Sequence, residues 1–292
     1  MKRRYEFIRE QQHHYPVKVL CNVMQVSRSA YYEYREPRQA GEQEQQLEAQ
    51  VVEVFCAHKR RYGIRRICAE LKGKGTRVGK FKCRRIMQSR ELKAIQPRSF
   101  VPRTTQSRHP YPVCDNLLAG RELPRKPGAV WVGDITYIPL SEGRWAYLAT
   151  WIDLYSRKVV GWQLEAHMRE ELVIGALNKA LNNRRLQTEG LIVHSDRGGQ
   201  YAGKEFRRRL HKNRILQSMS RADDPYDNAF AESYFSRLKA ELLQGGAFQS
   251  LEDARTELFE YIEMYYNTRR RHSSLNYQSP MDYENQYFYS LT

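Results

Sequence analysis

A change of hydrophobic pattern at Ala129 divides the 292-residue chain into two kinds of segment. Before it, apolar residues recur at helical spacing. After it come three apolar runs of strand length, residues 130–140, 144–153 and 158–164, separated by short hairpin-like turns. Three strands joined in this way are expected to be antiparallel neighbours in one sheet. The sequence therefore predicts helices first and a sheet-based α/β domain afterwards.

The part of the chain after these strands alternates between helical and strand patterns. We predict a mixed five-stranded sheet, because two further strands follow the first three and are separated by helices. Asp224-Pro225 is typical of a helix start, with an N-cap residue followed by proline at the first helical position. The predicted elements are a helix at 169–183, a strand at 191–194, a helix at 203–213, a strand at 215–219, a helix carrying Glu232, and a helix at 251–266.

Three acidic residues occur in settings that ordinary packing does not explain. Asp134 lies inside an apolar run, Asp196 ends the run 191–193 just before two glycines, and Glu232 lies on the predicted helix. Taken singly, each has an ordinary interpretation: Asp134 as a strand-end aspartate, Asp196 as a turn former and Glu232 as half of a surface ion pair. An unpaired carboxylate in an apolar strand is costly unless a cation or hydrogen bonds compensate. Together they can hold two Mg²⁺ ions roughly 3.5–4 Å apart, an arrangement suited to phosphoryl transfer.

The order and spacing of these acids, with thirty-five residues between Asp196 and Glu232, resemble the DDE triad of the retroviral-integrase superfamily. The motifs around them resemble bacterial insertion-sequence transposases encoded by two overlapping reading frames, and this chain is similar to the second-frame product. The motifs are Asp134-Ile135-Thr136-Tyr137-Ile138, His194-Ser195-Asp196-Arg197-Gly198-Gly199-Gln200-Tyr201, Tyr226-Asp227-Asn228-Ala229 and Tyr266-Asn267-Thr268-Arg269-Arg270-Arg271-His272.

This resemblance implies an RNase H-like core that cuts DNA at the ends of an insertion sequence and joins it to a target. Asp134, Asp196 and Glu232 would be the catalytic residues and would bind two Mg²⁺ ions, with Mn²⁺ as a substitute. Lys239, two turns beyond Glu232 on the same helix face, would contact the substrate phosphate. His194 is expected to point away from Asp196 by strand alternation and to have a packing role. Two alternatives are a nuclease or resolvase of the same fold, which hydrolyses without joining, and a DNA-binding regulator with an inactive core.

The excess of positive over negative charge lies entirely in the N-terminal part of the chain. The net charge is +16; residues 1–128 hold 28 Lys and Arg against 12 Asp and Glu, whereas residues 129–292 hold 21 of each. A scattered basic surface needs no partner, but this concentration favours an anionic polymer. Double-stranded DNA, both element ends and target, is the predicted partner.

The N-terminal part contains two predicted helical units and a linker. Residues 1–36 suggest a short helix-turn-helix, with Val23 and Met24 among its packed residues, and residues 45–94 a basic helical domain. The resemblance extends to the helix-turn-helix that precedes the catalytic core in these transposases. Residues 95–128 hold six prolines and five arginines and are predicted to be an extended linker. The predicted DNA contacts in the basic domain are Arg65, Arg66, Lys80, Lys82, Arg84 and Arg85.

The remaining predicted divisions are a catalytic core at 129–245 and a C-terminal helix with a basic tail at 246–292. Arg269, Arg270 and Arg271 follow the last predicted helix, and three arginines near a carboxylate site are candidates for holding the cut strand. The fold prediction is thus a multidomain chain with an N-terminal all-α region, an α/β core and a helical C-terminal extension.

The cysteines and the apolar runs restrict the cellular setting. Five cysteines without a Cys-x-x-Cys pair support neither a disulfide framework nor a cysteine zinc site, and no run reaches about 18 apolar residues. A cytoplasmic, nucleoid-associated protein with no membrane contact is expected. The resemblance further implies a first-frame segment, fused or separate, as partner and a homo-oligomer on DNA, since residues 1–60 show no sustained heptad pattern for self-pairing.

Overall fold

The computed structural model describes residues 1–35, 41–97, 112–182, 189–221 and 229–291. Its N-terminal part is helical, as predicted. Three short helices pack around Ile8, Leu20, Cys21 and Tyr31, and three further helices form a second small core. The helices are α1 (Lys2–Gln11), α2 (Val17–Val23), α3 (Arg28–Arg35), α4 (Glu42–Ala57), α5 (Ile64–Gly73) and α6 (Lys80–Ser89).

The second part is built on a mixed five-stranded sheet with strand order β3-β2-β1-β4-β5. The first three strands are antiparallel neighbours, whereas β4 runs parallel to β1 and β5 runs parallel to β4. Both the strand count and the hairpin order are those predicted from the sequence. The strands are β1 (Val130–Pro139), β2 (Trp145–Asp153), β3 (Val159–Glu165), β4 (Ile192–Ser195) and β5 (Leu216–Met219).

Helices cover both faces of this sheet, and together they form what we call the sheet domain. Two predicted helices each run on into a π-helical turn, Lys239–Leu243 and Glu260–Tyr266. The pattern did not predict α8, where a turn was expected, or α12 in the supposed tail. The helices are α7 (Glu170–Asn182), α8 (Gly199–Ala202), α9 (Lys204–Lys212), α10 (Ala229–Leu238), α11 (Leu251–Phe259) and α12 (Pro280–Tyr289), with 3-10 turns at Ser141–Gly143 and Ser273–Leu275.

The two faces have separate hydrophobic cores. Helices α7, α8 and α9 pack with Trp131, Trp151 and Val193 on one face, and α10 and α11 pack with Val132 and Ile192 on the other. On the first face, α7 lies so close to β3 that residue 161 must be glycine. A Cβ at residue 161 of β3 would lie 2.3 Å from the Ala176 carbonyl oxygen of α7, so any side chain there would force the helix off the sheet.

Several predicted features have a different setting in the structure. Val23 is 71% exposed and is not part of the small N-terminal core. The hydrophobic core runs across the division predicted at residue 245, because Leu258 and Ile262 pack in the same cluster as Leu238. The predicted N-cap Asp224-Pro225, and the linker residues Arg98, Pro102, Arg103, Arg108 and Pro110, lie outside the described residues.

The C-terminal tail is a folded part of the sheet domain. Ser279 caps α12 by accepting a hydrogen bond from the Asp282 backbone N–H at 3.2 Å, with Pro280 at the first helical position. Glu284 of that helix pairs with Lys158 at 3.1 Å. These contacts fix the tail beside the hairpin between β2 and β3.

Candidate active site

The two predicted catalytic aspartates lie side by side on neighbouring parallel strands. In the β1–β4 pairing Val132 is opposite His194. Asp134 and Asp196 each follow two residues after this pair, so they lie at the same level of the sheet. Asp196 is just beyond the end of β4. The sheet topology brings together two carboxylates that are 62 positions apart in the sequence.

Backbone hydrogen bonds hold both carboxylates. The Ile135 N–H donates to Asp134 Oδ1 at 2.8 Å, and the Gly198 N–H donates to Asp196 Oδ1 at 3.0 Å. A Cβ at Gly198 would lie only 3.0 Å from the same oxygen. The loop after β4 is fixed further by Arg197, whose Nε donates to the Ser220 carbonyl at 2.8 Å. Backbone N–H groups thus orient both carboxylates.

The third predicted acid, Glu232, lies on α10, as expected. Tyr234, Phe235 and Leu238 form the buried side of this helix, and Glu232 is exposed on the opposite side. The apolar spacing of this helix predicts that Phe230 is buried with them, but Phe230 is 39% exposed, with the guanidinium carbon of Arg157 4.1 Å from its ring centre. Its position in the first turn of the helix carries it past the edge of the core.

Electrostatic interactions connect these groups. Burial and then the charge of Asp196 raise the pKa of Asp134 well above its usual range, and Glu232 adds to this, while the Ile135 N–H and Lys239 oppose it. Burial lowers the pKa of Lys239, and the charge of Asp134 opposes that shift. Burial also raises the pKa of Glu232. The charge of Asp134 is therefore influenced by two further acids and by one lysine.

Tyr201, which entered the sequence analysis only as part of a motif, is influenced by two of these acids. It is 1% exposed, and its hydroxyl has no hydrogen-bond partner among the described residues. Burial, followed by the charges of Asp134 and Asp196, raises the pKa of its phenol well above the usual range. The sequence signal that could have indicated this is the position of Tyr201, five residues after Asp196 and beyond two glycines.

The donor set suits a hard divalent cation. All three acids supply carboxylate oxygens, which Mg²⁺ and Mn²⁺ prefer, and no thiol or imidazole is needed. The mutual repulsion that raises the pKa of Asp134 is the cost that a bound cation would remove. Across the described ranges, no three His, Cys, Asp or Glu side chains already converge as a metal cage. The two aspartates are in place, whereas the exposed Glu232 stands apart from them.

Comparison with known protein families matches two kinds of domain. A model described as "Integrase core domain" matches residues 124–225, a second model with the same description matches residues 213–280, and one described as "HTH-like domain" matches residues 42–100. The matches follow the division into a sheet domain and a preceding helical unit.

Curated relatives extend the similarity to almost the whole chain. "Transposase InsF for insertion sequence IS3A" of Escherichia coli (strain K12) is 37% identical over 286 residues, which cover 97% of this chain and 98% of that protein. This chain belongs to the family of IS3-type insertion-sequence transposases. "Insertion element IS600 uncharacterized 31 kDa protein" of Shigella sonnei is also 37% identical, over 92% of this chain and 98% of its own.

Solved structures similar to the transposase are retroviral integrases. A simian T-cell lymphotropic virus intasome is 17% identical, with a TM-score of 0.44, over 74% of this chain and 70% of its own. The HTLV-2 integrase catalytic core, solved in complex with magnesium, is 17% identical with a TM-score of 0.42, over 55% of this chain and 98% of its own. The family membership rests on the sequence matches: this is a transposase with an integrase catalytic core, a polynucleotidyl transferase.

The structure disagrees with the DNA contacts predicted for two of the three tail arginines. Arg270 is 2% exposed and its guanidinium is bound to Glu241. The Arg271 guanidinium bonds to Glu70 of α5 and donates to the Tyr277 carbonyl at 2.9 Å. Both charges are used inside the protein, because a buried guanidinium requires a partner. Arg269 alone of the three is exposed.

The basic residues of the helical domain also divide into two groups. Arg66 is half-buried against the sheet domain, 5.8 Å from the Tyr62 ring centre, and burial and then Arg270 lower its pKa. Arg85 and Lys82 approach Glu44 of α4 at 2.7 and 3.8 Å, in exposed ion pairs of the kind that contribute little. The exposed remainder is Arg65, Lys80 and Arg84.

Phe81 is a residue whose exposure the sequence pattern did not reveal. It is 88% exposed on α6, between Lys80 and Lys82. The sequence signal for this exposure is a phenylalanine flanked by two lysines. Helical spacing places Phe81 on the side of α6 opposite the buried Cys83 and Ile86.

Two smaller predictions can be compared with the structure. His194 is fully buried, with Nδ1 2.8 Å from Ser218 Oγ, in agreement with a packing role. The alternation given as the reason was wrong, because residues two apart lie on the same side of a strand.

Among the helices of the described ranges, none is both long and apolar enough to cross a membrane.

Proposed function

We propose that the transposase cuts and joins the ends of its insertion sequence with Asp134, Asp196 and Glu232 as the catalytic carboxylates. The observation that carries this proposal is the placement of Asp134 and Asp196 at one level on adjacent parallel strands, with Glu232 and Lys239 electrostatically coupled to Asp134. Paired aspartates at a strand edge have no packing purpose that would offset their repulsion.

The three carboxylates would hold two Mg²⁺ ions, or Mn²⁺ in their place. When bound, such ions lower the pKa of an attacking water or hydroxyl and stabilise the leaving oxygen. The residues of the chain supply the rest. The Ile135 and Gly198 N–H groups orient the two aspartates, and the ammonium of Lys239 lies beside them to neutralise a substrate phosphate.

Neutralising each acid tests this assignment. Asp134→Asn, Asp196→Asn and Glu232→Gln should each abolish cleavage and joining of a labelled element end in Mg²⁺ while leaving DNA binding unchanged. Glu252→Gln is a matched control, because Glu252 is an exposed acid in an ion pair with Arg255 on α11. Near-normal joining by Glu232→Gln would refute the site. Cleavage without joined products would instead identify a nuclease of the same fold.

The DNA-binding surface of the helical domain would consist of Arg65, Lys80 and Arg84, with Lys82 and Arg85 able to exchange their weak ion pairs for phosphates. The support is their exposure on two helices joined by a short turn, a helix-turn-helix geometry in which the second helix enters the major groove. Arg269 would add a contact near the active site. Such a DNA-bound enzyme would be located on the nucleoid.

Assembly on DNA would require a further partner. We expect a first-frame segment, fused or separate, to supply the coiled coil that pairs two transposase subunits on two element ends. The full chain alone should give nicking at best, and the fusion should give a paired-end complex on a native gel. Efficient paired-end joining by the 292-residue chain alone would locate the pairing function within its own helices.

A further inference from the structure

The helical domain of residues 41–97 is here called the recognition domain. Two side chains that follow the turn between its helices α4 and α5 contact the sheet domain. Lys59 and Arg60 both have left-handed backbone conformations, with φ of 48° and 62°. Neither is glycine, and consecutive non-glycine residues in this region are unfavourable unless the surroundings compensate. The compensation lies in the next two residues, Arg61 and Tyr62.

Arg61 binds the π-helical turn Lys239–Leu243. Its Nε donates to the backbone carbonyl of Glu241 at 3.2 Å, and the side chain is buried. The guanidinium carbon also lies 5.0 Å from the ring centre of Tyr261 and 4.6 Å from that of Tyr265. A hydrogen bond combined with two aromatic faces defines both the position and the orientation of the guanidinium.

Tyr62 forms the second contact. Its hydroxyl donates to the Arg269 carbonyl at 3.2 Å and accepts from the Arg271 N–H at 2.8 Å. The ring belongs to the core of the recognition domain and stacks on His58, with ring centres 3.7 Å apart. One phenol therefore joins the core of the recognition domain to the backbone of the sheet domain.

The turn that Arg61 grips is continuous with the catalytic helix. It begins at Lys239, directly after the last residue of α10, and Lys239 is coupled to Asp134. Glu232 lies two turns earlier on the same helix. π-helical turns are rare and are frequently found at functional sites. A movement of the recognition domain would thus reach Lys239 through a single turn of helix.

We propose that Arg61 and Tyr62 are positioning residues that couple DNA recognition to the active site. Binding of an element end by the recognition domain would fix the turn at 239–243 and with it Lys239 and Glu232. The enzyme would then cut fast only when the DNA end is correctly seated. This inference rests on the proposed function, because it assumes that the recognition domain binds the element end.

The test measures a ratio of cleavage rates. In Mg²⁺, wild-type enzyme should cut a duplex carrying the element end faster than a duplex of equal length with an unrelated sequence. Tyr62→Phe removes only the hydroxyl, and Arg61→Met keeps a long side chain without the guanidinium. Both should leave affinity for the end duplex within about twofold and lower the rate ratio by about 10- to 100-fold, the size expected for a displacement near 1 Å.

The control separates coupling from folding. Tyr31→Phe removes a buried hydroxyl that bonds to Gln12 within the N-terminal helices, so it should leave the ratio unchanged. A folding defect would lower both rates equally and leave their ratio at the wild-type value. Folded Tyr62→Phe and Arg61→Met enzymes with the wild-type ratio would overturn the proposal.

A second measurement does not depend on cleavage. Hydrogen exchange at the backbone amides of 239–243 should slow when wild-type enzyme binds the end duplex, and should not slow in Tyr62→Phe. Equal slowing in both would also overturn the coupling. A fusion of the wild-type chain to the first-frame segment that cuts neither duplex would contradict the proposed function instead, and the exchange measurement would still decide the coupling.

Discussion

Glu241 and Arg270 form a buried ion pair in which one edge of the guanidinium meets both oxygens of the carboxylate. Arg270 Nε donates to Glu241 Oε2 at 2.8 Å, and Nη2 donates to Oε1. The Tyr261 hydroxyl donates to Oε2 at 3.0 Å. The pair connects the turn after α10 to the motif that begins at Tyr266, and it explains why Arg270 of that motif is not available to DNA.

Removing one member of this pair should be costly for the whole protein. Glu241→Gln leaves a buried guanidinium without its counter-charge, so we expect a loss of about 3–5 kcal/mol in the free energy of unfolding. The exposed pair of Glu252 and Arg255 is the control, and Glu252→Gln should cost below about 1 kcal/mol. Urea titration measures both. A double change to Glu241→Met and Arg270→Met that costs less than Glu241→Gln would confirm that burial of an unpaired charge is the cause.

Asp134→Asn should stabilise the enzyme at neutral pH when no divalent cation is present. The folded-state pKa of Asp134 is raised, so the folded state holds its proton more tightly than the unfolded state. Its contribution is favourable at low pH and is lost as pH rises through the raised pKa. The variant has no such loss.

Thermal unfolding in EDTA and in Mg²⁺ measures this effect. Each kcal/mol corresponds to about 2–4 °C for a domain of this size. Mg²⁺ should raise the unfolding temperature of wild type and leave that of Asp134→Asn unchanged. A variant less stable than wild type in EDTA at pH 7 would show that burial of the Asp134 carboxylate and its repulsion by Asp196 do not destabilise the folded state.

Salt dependence should distinguish phosphate contacts from solvated charge. Replacing Lys80 and Arg84 by alanine should reduce the log–log slope of duplex binding against salt by about one unit for each phosphate that the variant no longer neutralises. Arg208→Ala, which removes an exposed arginine of α9 in a pair with Glu205, is the control. Fluorescence anisotropy at several salt concentrations gives the slopes, and an unchanged slope in the double variant would remove α6 from the DNA surface.

Phe81→Ala should alter sequence preference with no change of salt slope. An exposed ring near the start of the second helix of a helix-turn-helix can contact a thymine methyl in the major groove, and it carries no charge. Affinity for the element end should fall by about tenfold or more relative to unrelated DNA. Phe259→Ala, a half-exposed phenylalanine of α11, should leave the preference unchanged. Equal weakening on both DNAs by Phe81→Ala would indicate a non-specific role.

The order of strands and helices could be predicted from the sequence because hydrophobic period and turn residues are local properties. The hairpin turns at 141–143 and 155–157 already imply antiparallel neighbours. Asp134 and Asp196 could also be predicted, because a carboxylate inside an apolar strand, or directly after one, stands out from the local sequence pattern.

The uses of the basic residues were decided only by the tertiary structure. Arg269, Arg270 and Arg271 are identical in type and adjacent in sequence, yet one is exposed, one pairs with Glu241 and one pairs with Glu70. An arginine's partner is set by which acid the fold brings within reach, and Glu70 is about 200 positions away. The sequence by itself determined most of the helices and strands, and it distinguished Asp134 and Asp196 from the other acids. The contact of Arg61 with the turn beyond Glu232 depended on long-range packing, for which local pattern carries no signal.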